Sequence, residues 1–405
     1  WAACTARRNR PVEPKRLLAD RSLPIYSVMI PLRNEAHMVP QIVSAMRKLD
    51  YPPEKLDIMF VVESASPRTI EAVKEVLDDP RFRLIEVPDR LPYTKPKATN
   101  YALPVARGKH LVVFDAEDIP EPQQLRKAAT IFATRKALDC LQAELVIANT
   151  ERSWIARMFA AEYAGHFGVV LPAISRARLP MPLGGTSNHF RIEVLRESGA
   201  WDAFNVTEDA DLGIRLARLK YRCASFSSQT FEEAPETLDA WLRQRSRWMK
   251  GWMQTLLVHN RRPRLLLEHL GWRNLLAFEI FVGSMVISTA LHAPFLFLTL
   301  GRLAHDLLTG GSATVLTMAS AGALLLGYVG AVVVSAIGLR RIGKPELTPM
   351  LVGLPLYWIM AWVAIVKAAI ELVTRPFYWA KTTHRGYAAL AANGASVPQP
   401  RPGAL

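Results

Sequence analysis

Cysteine is scarce in this chain: Cys4, Cys140 and Cys223 are the whole supply. They are odd in number, far apart, and no two have metal-ligand spacing, so neither a disulfide framework nor a zinc site is indicated. A reducing, cytosolic setting suits the soluble part. The first strand is not followed by Gly-x-Gly-x-x-Gly, which argues against a dinucleotide-binding Rossmann enzyme. No signal peptide is visible and the chain opens on Trp1 rather than Met. The expectation is therefore a longer protein whose upstream part can carry membrane segments.

Negative charge is the minority sign, with 36 Asp+Glu against 50 Lys+Arg and a formal charge of +14. Such an excess suits nucleic acid or a membrane. No zinc-finger spacing accompanies it. Arg243, Arg245, Arg247, Lys250, Arg261, Arg262 and Arg264 lie immediately before an apolar run, which is the positive-inside pattern. We therefore expect membrane lipids as partners and no nucleic acid. Apolar residues are plentiful, at 50% of the chain with a mean hydropathy of +0.10, both high for a purely soluble protein.

Residues 1–22 are basic and proline-containing and read as a linker on a membrane or domain surface. Strand and helix patterns then alternate. Tyr26–Leu32 reads as a strand, residues 38–49 as a helix, and residues 56–62 as a continuous apolar strand of the kind covered on both faces. Helix 68–77, strand Phe82–Val87 and strand 110–114 follow. This alternation predicts an α/β fold with a mostly parallel sheet and ligands at the carboxyl ends of the strands, where Glu63 and Asp115 fall. Residues 121–137 and 153–172 read as helices, 184–188 as a flexible turn into a short helix, and 238–258 as an amphipathic helix in which arginine alternates with tryptophan and leucine.

Two later runs, 275–300 and 313–339, are each about long enough to cross a bilayer. A third, 350–373, contains Pro355 and has Lys367 and Glu371 at i, i+4 spacing. A full third crossing would leave Arg375, Lys381 and Arg385 outside, against the positive-inside rule, so a re-entrant or interfacial element is favoured, with Lys367 and Glu371 on a wet face. Glu279 and His292 lie inside the first run and are expected to face a glycan channel, as ionisable groups at membrane depth are functional candidates. The tail after residue 386 is rich in Ala, Pro and Gly and reads as disordered.

The chemistry-bearing residues recur at element ends. Asp115-Ala116-Glu117-Asp118 closes a buried strand, where carboxylates two apart can share a divalent cation; the same residues would serve as a solvated acidic turn. Lys95 and Lys97 suit a phosphate or a metal-site carboxylate, or are plain surface lysines. Glu63 can meet a ribose or cap the next helix. Thr207-Glu208-Asp209 and Asp211 open a helix, where Asp209 is placed either as a general base or as a carboxylate favoured by the helix dipole. Arg247 and Trp248 could hold a leaving diphosphate and a sugar ring, and could equally anchor an interfacial helix.

In this order these residues resemble the family 2 glycosyltransferases, specifically the membrane-embedded processive branch of cellulose, hyaluronan and chitin synthases, over residues 24–386. The closest resemblance is to bacterial cellulose-synthase-like exopolysaccharide synthases, through the stretches beginning at Asp115, Gly184 and Thr207. The Gln-x-x-Arg-Trp signature at Gln244, Arg247 and Trp248 is the specific part. The resemblance implies a GT-A domain over 23–234, interface helices over 235–270, a transmembrane region over 271–374 and a gating-like segment with a tail over 375–405. It implies that Glu63 contacts the nucleotide, and that Lys95 or Lys97 contacts the diphosphate. Asp115 and Glu117 would hold Mg2+ or Mn2+, with Asp209 as general base. Gln244 and Arg247 would hold the diphosphate, and Trp248 with Glu208 and Asp209 the acceptor. Trp379, Lys381 and Thr382 would form the gate. The implied activity is inverting, processive extension of a β-linked exopolysaccharide from a nucleotide sugar, with UDP as the carrier. The implied setting is the bacterial inner membrane, multi-pass, with a cytosolic catalytic domain and a periplasmic or outer-membrane export partner for the growing polysaccharide. Transfer to a lipid carrier, and a catalytically silent scaffold, are the alternatives. Two departures stand out: Glu117 is one methylene longer than the usual aspartate, and Ser64-Ala65-Ser66 follows Glu63 where relatives carry aspartates.

Overall fold

A computed structural model of the chain describes residues 1–377. Eight strands form one sheet: β1 (Tyr26–Leu32), β2 (Leu56–Glu63), β3 (Phe82–Val87), β4 (His110–Val113), β5 (Ile119–Pro120), β6 (Cys140–Ile147), β7 (Asn188–Arg191) and β8 (Cys223–Glu232). Their order is β3-β2-β1-β4-β7-β6-β8-β5. β1 pairs in parallel with β2 and β4, and β2 with β3. β7 runs antiparallel between β4 and β6, while β6 and β8 are parallel again.

The strand period sends Tyr26, Val28, Ile30 and Leu32 of β1 into one core and Met29 into the other. β2 divides the same way, with Ile58, Phe60 and Val62 opposite Met59 and Val61. Helices cover both faces, so all of β2 is buried and only a continuous apolar run can supply it. β5, β6, β7 and β8 are the strands that the sequence pattern does not mark. β8 reads as polar, yet Ser225, Ser228 and Thr230 are buried. The hydroxyl partners of Ser228 and Thr230 sit on neighbouring elements: Ser187 donates to Thr230 at 2.7 Å, and Gln124 donates to Ser228 at 3.2 Å. β7 follows the turn expected over 184–188, overlapping it only at Asn188, and its backbone completes the ladder between β4 and β6 before the short helix Ile192–Glu197. Cys140 and Cys223, distant in sequence, are register partners on β6 and β8 and are both free. Burial, with Cys223 beside it, pushes the Cys140 thiol well above its ordinary value.

Residues 1–22 lie on this domain, as Val12 bridges to Phe226 and the Leu18 amide donates to Thr130 Oγ1 at 3.1 Å. The helix expected over 153–172 runs from Trp154 to Gly165, widens into a π-helical turn (His166–Val170) and resumes as Leu171–Ala177. Pro172 has no N–H for the carbonyl of Gly168, four residues back. Arg341 donates to that carbonyl instead. The second apolar helix, which Arg341 ends, is thereby tied to the domain, and Gly338 makes the approach possible: a Cβ there would lie 2.1 Å from the Ala164 carbonyl oxygen.

Among the described residues three segments are long and apolar enough to cross a membrane: Trp272–Thr309, Val315–Arg341 and Pro345–Thr374. In the first, Pro294 leaves the Ala290 carbonyl without its helical donor, and Trp362 Nε1 of the third donates to it at 3.0 Å. His292 meets Tyr328 at 3.0 Å and packs edge-on to Trp358, so it joins the three segments in an aromatic cluster. Glu279 lies in a π-helical turn, with its carboxylate beside Gly283. The helix Leu354–Thr374 runs alongside the amphipathic helix Leu238–Asn260. Tyr357 meets Trp241, Ile365 packs on Met249, Glu371 reaches Lys250 at 3.3 Å, and the Pro376 carbonyl accepts from Gln254 at 2.9 Å. Glu371 therefore turns inward to the fully buried Lys250, while Lys367 stays half exposed.

Candidate active site

Glu63 is the last residue of β2, and Asp115 follows β4 by two residues. Both meet the first turn of the helix Lys95–Ala102. Lys97 donates to Glu63 at 2.9 Å and to the carbonyls of Pro88 and Arg90 at 3.1 and 2.8 Å. It thus fixes Glu63 and does not line the cleft. Lys95 does line it, donating to Asp115 and to the Gly185 carbonyl, the latter at 2.6 Å. Burial works to lower the Lys95 ammonium, but the carboxylates of Asp115 and Glu208 outweigh it and hold it above its ordinary value.

The acidic turn divides its labour. Asp118 is buried and accepts from the Asp115 amide at 2.6 Å and from the Thr186 hydroxyl, so it shapes the turn. Asp115 and Glu117 line the cleft, joined by Glu232 at the end of β8. Burial first, and neighbouring carboxylates second, push Glu117, Asp118 and Glu232 well above the ordinary carboxylate range. Such an excess of buried negative charge and hard oxygen donors suits a divalent cation. Among the described residues no three His, Cys, Asp or Glu side chains form a ready ligand set. Asp115 and Glu117 would then be the protein's share, with diphosphate oxygens and water completing the shell, as is usual for Mg2+.

The helix Glu208–Arg218 opens on Glu208, Asp209 and Asp211, whose charges the helix dipole favours. Asp211 turns to the interior, accepting from Arg215 at 2.9 Å and meeting His259 Nε2 at 3.0 Å. It ties this helix to Leu238–Asn260. Glu208 and Asp209 line the cleft. Burial, then the charge of Asp209, pushes the Glu208 carboxyl up to about 7, and burial raises Asp209 as well. Two glycines set the spacing here. A Cβ on Gly185 would lie 3.5 Å from Asp209 Oδ2, and one on Gly251 would lie 2.3 Å from Thr207 Oγ1. Only glycine at 251 lets the amphipathic helix close onto Thr207, the residue that caps the helix Glu208–Arg218.

Gln244, Arg247 and Trp248 line the same cleft. Arg247 reaches the Val206 carbonyl at 3.5 Å; burial lowers its guanidinium, against the pull of Glu208 and Asp209. Arg245, to which the sequence assigned no separate role, proves central. It makes two 2.6 Å hydrogen bonds to Glu162 and one of 3.0 Å to Tyr357. Its guanidinium lies 5.0 Å from the ring centroids of Trp241 and Trp248 and 5.4 Å from that of Phe159. Burial would raise the Glu162 carboxyl, but Arg245 outweighs it and holds it below its ordinary value. A carboxylate inside the apolar run 153–172 was the available sequence signal for Glu162.

The cleft has a volume of about 320 Å3 and extends from Glu63, Lys95 and Asp115 at the strand ends to Trp252 and Met285, the last on the first apolar helix. Of the expected site residues, Glu63, Lys95, Asp115, Glu117, Glu208, Asp209, Gln244, Arg247 and Trp248 are brought together. Glu35, Glu162, Glu232 and Glu233 are additions to the lining. Trp379, Lys381 and Thr382 lie outside the described residues.

Residues 24–251 match the family described as "Glycosyltransferase like family 2". The chain belongs to this family. Its sheet, with the helices that follow, is the GT-A architecture, and the chain is a glycosyltransferase of that family. This family 2 glycosyltransferase is 27% identical over 234 residues to a "Probable glycosyltransferase YdaM" of Bacillus subtilis, covering 57% of this chain and 56% of that one. It therefore spans little more than half of that relative. A "Beta-monoglucosyldiacylglycerol synthase" of Nostoc sp. is 23% identical over 385 residues, covering 90% of this chain and 77% of its own. A "Glucomannan 4-beta-mannosyltransferase 2" of Arabidopsis thaliana is 26% identical over 253 residues, covering 60% and 47%. Among solved structures, a mannosyltransferase from Pyrobaculum calidifontis, in complex with GDP-Man and Mn2+, shares the fold with a TM-score of 0.56 at 18% identity, covering 92% of this chain and 93% of that one.

Proposed function

We propose that this family 2 glycosyltransferase is an inverting, metal-assisted enzyme that moves a hexose from a nucleotide-sugar donor onto a growing β-linked polysaccharide at the cytosolic face of the inner membrane. The observation that carries the reading is the convergence of Asp209, Asp115, Glu117, Arg247 and Trp248 on one cleft that reaches Met285. Asp209 takes the proton of an acceptor hydroxyl, whose oxygen forms a bond to the anomeric carbon as the bond to the nucleoside diphosphate breaks. One displacement turns an α-linked donor into a β-linked product. Lys95 and Arg247 meet the charge that develops on the departing diphosphate. A divalent cation held by Asp115 and Glu117 would supply further neutralisation of that diphosphate. Glu63, fixed by Lys97, orients the nucleotide, and Trp248, carried on Arg245 and Tyr163, offers a face to the acceptor sugar.

Packing supports the membrane part of this reading. Two crossings, Trp272–Thr309 and Val315–Arg341, leave and rejoin the domain through Arg273 and Arg341. The helix Leu354–Thr374 is interfacial, because an amphipathic helix bearing Arg243, Arg245 and Lys250 accompanies it along its length. An export partner for the polysaccharide completes this reading.

Transfer to a lipid acceptor is the second reading. The apolar end of the cleft, with Met249, Trp252 and Met285, favours it, as does the long match to a glycolipid synthase. The experiment gives the purified chain in nanodiscs a panel of nucleotide sugars with Mg2+ or Mn2+, following diphosphate release and product size. Release with a long polymer supports the first reading, and release with a single-sugar lipid supports the second. No release with any donor would refute both and favour the silent scaffold.

A further inference from the structure

A second cavity, of about 640 Å3, opens at the amino-terminal ends of β6 and β8, the opposite ends from the catalytic cleft. Its walls are residues 10–13 of the amino-terminal segment, residues 135–138, the end of the helix Leu171–Ala177 and the start of β8. Arg10, Arg135, Arg176, Arg178 and Arg222 line it against one carboxylate, Glu13. None of these arginines has an ion-pair partner among the described residues. Arg178 caps its helix at φ 56°, a left-handed position where glycine costs less, so the chain carries an arginine there at a conformational expense. The Arg222 backbone is pinned on both sides by Asp139, whose side chain accepts from its amide at 2.8 Å and whose own amide donates to its carbonyl.

Five guanidinium groups gathered around a cavity with a single carboxylate repel one another until an anion arrives, and their planar forks match phosphate oxygens. A volume in the range of about 300–1,000 Å3 is that of an organic ligand rather than a lone ion. We infer that this cavity is a binding site for a phosphate-bearing organic anion, separate from the donor site. Its walls are tied to the apolar helices on both sides: Arg341 donates to the carbonyls of Ala6 and Asn9, and Arg273 donates to that of Ala177 at 2.6 Å. A phosphate on a lipid headgroup and a phosphate on a soluble molecule share the same recognition chemistry, so the test separates them.

The full chain and its Arg176→Gln/Arg178→Gln/Arg222→Gln variant would be compared in two arms. One titrates pyrophosphate, in chelator, onto detergent-solubilised protein and reads the thermal midpoint and hydrogen exchange over residues 10–13 and 175–178. The other reconstitutes both proteins with phosphatidylcholine containing phosphatidylglycerol and reads retained lipid by native mass spectrometry. An Arg261→Gln/Arg262→Gln variant controls for general basic charge. Each arginine is worth about fivefold in affinity for a surface anion, so the triple variant should bind about a hundredfold more weakly, while the control changes little. Loss confined to the pyrophosphate arm assigns a soluble ligand, and loss confined to the lipid arm assigns a headgroup; both support the site. Equal binding by wild type and triple variant in both arms overturns it, as does an equal loss in the control. The substituted side chains are exposed or half-buried, so an unchanged midpoint without ligand and unchanged donor turnover serve as folding checks.

Discussion

Replacing Arg245 by methionine should destabilise the protein and spoil the acceptor side of the cleft, while leaving the donor side nearly intact. The side chain is 7% exposed and its carboxylate partner Glu162 is 38% exposed. Removing one partner of a buried ion pair costs about 3–5 kcal/mol, and the partial exposure of Glu162 brings the expectation down to about 2–3 kcal/mol. Loss of the guanidinium beneath Trp248 and beside Trp241 adds roughly 0.5–1 kcal/mol. Arg245→Lys keeps the charge but not the two-pronged fork or the flat face, and should recover only part of the loss. Unfolding of the detergent-solubilised chain, followed in urea by tryptophan emission, measures these terms for Arg245→Met, Glu162→Gln and the double variant. The double variant should be more stable than the sum of the singles implies, by about 1–2 kcal/mol, because the partners touch. Kinetically, KM for the acceptor should rise several-fold while KM for the donor holds. Additive stabilities within about 0.5 kcal/mol, or an acceptor KM that does not move, would refute the view of Arg245 as the support of Trp248.

Other outcomes follow from the same geometry. Asp209→Asn should lower turnover by about 100-fold or more while donor binding, read by calorimetry, is unchanged; comparable loss of donor affinity would argue against its role as base. Gly251→Ala should slow turnover and cost about 1–3 kcal/mol, since its methyl group would overlap the Thr207 side chain; a variant of normal midpoint and rate would contradict that packing. Burial lowers His110 and His189 from the ordinary 6.5 to about 3, so both stay neutral in the fold while the unfolded chain takes up protons. Their stability is fully present above about pH 6.5 and drains away as pH falls towards 3, by about 2 kcal/mol for each at about pH 5. His110→Phe, which keeps the stack on Phe132, should shrink the drop in thermal midpoint between neutral and acid pH; an undiminished drop would discount His110.

The parallel half of the sheet and most of the cleft were legible because their signals are local. β1, β2 and β4 are largely apolar runs bounded by turns, and Glu63 and Asp115 stand where such strands end. The other half was hidden by long-range compensation. β8 carries Ser228 and Thr230, whose hydroxyls find partners only once Ser187 and Gln124 are in place, and nothing nearby in sequence announces them. β7 exists because β4 and β6 leave a ladder to fill. Lys95 and Lys97 look equivalent in sequence, yet a difference of two residues in one helical turn sends the first to Asp115 and the second to Glu63. The two arginines of the Gln244–Trp248 stretch divide in the same way, one towards Glu162 and the other towards Glu208 and Asp209.

Pro172 and Pro294 act at a distance. Each empties one carbonyl of its own helix, and a side chain from a different apolar segment fills it: Arg341 at Gly168 and Trp362 at Ala290. The gap works as an address, readable by one donor at one height along the helix. Substituting alanine for Pro172 would improve the helix by itself, since the amide would take back the Gly168 carbonyl. That same gain would evict Arg341, and the second apolar helix would lose its register against the domain. Cross-linking between cysteines introduced at positions 165 and 334, where a Cβ at 165 would lie 3.1 Å from the Val334 side chain, should then become less efficient although helicity rises. A residue that weakens one helix is what tells another where to stop.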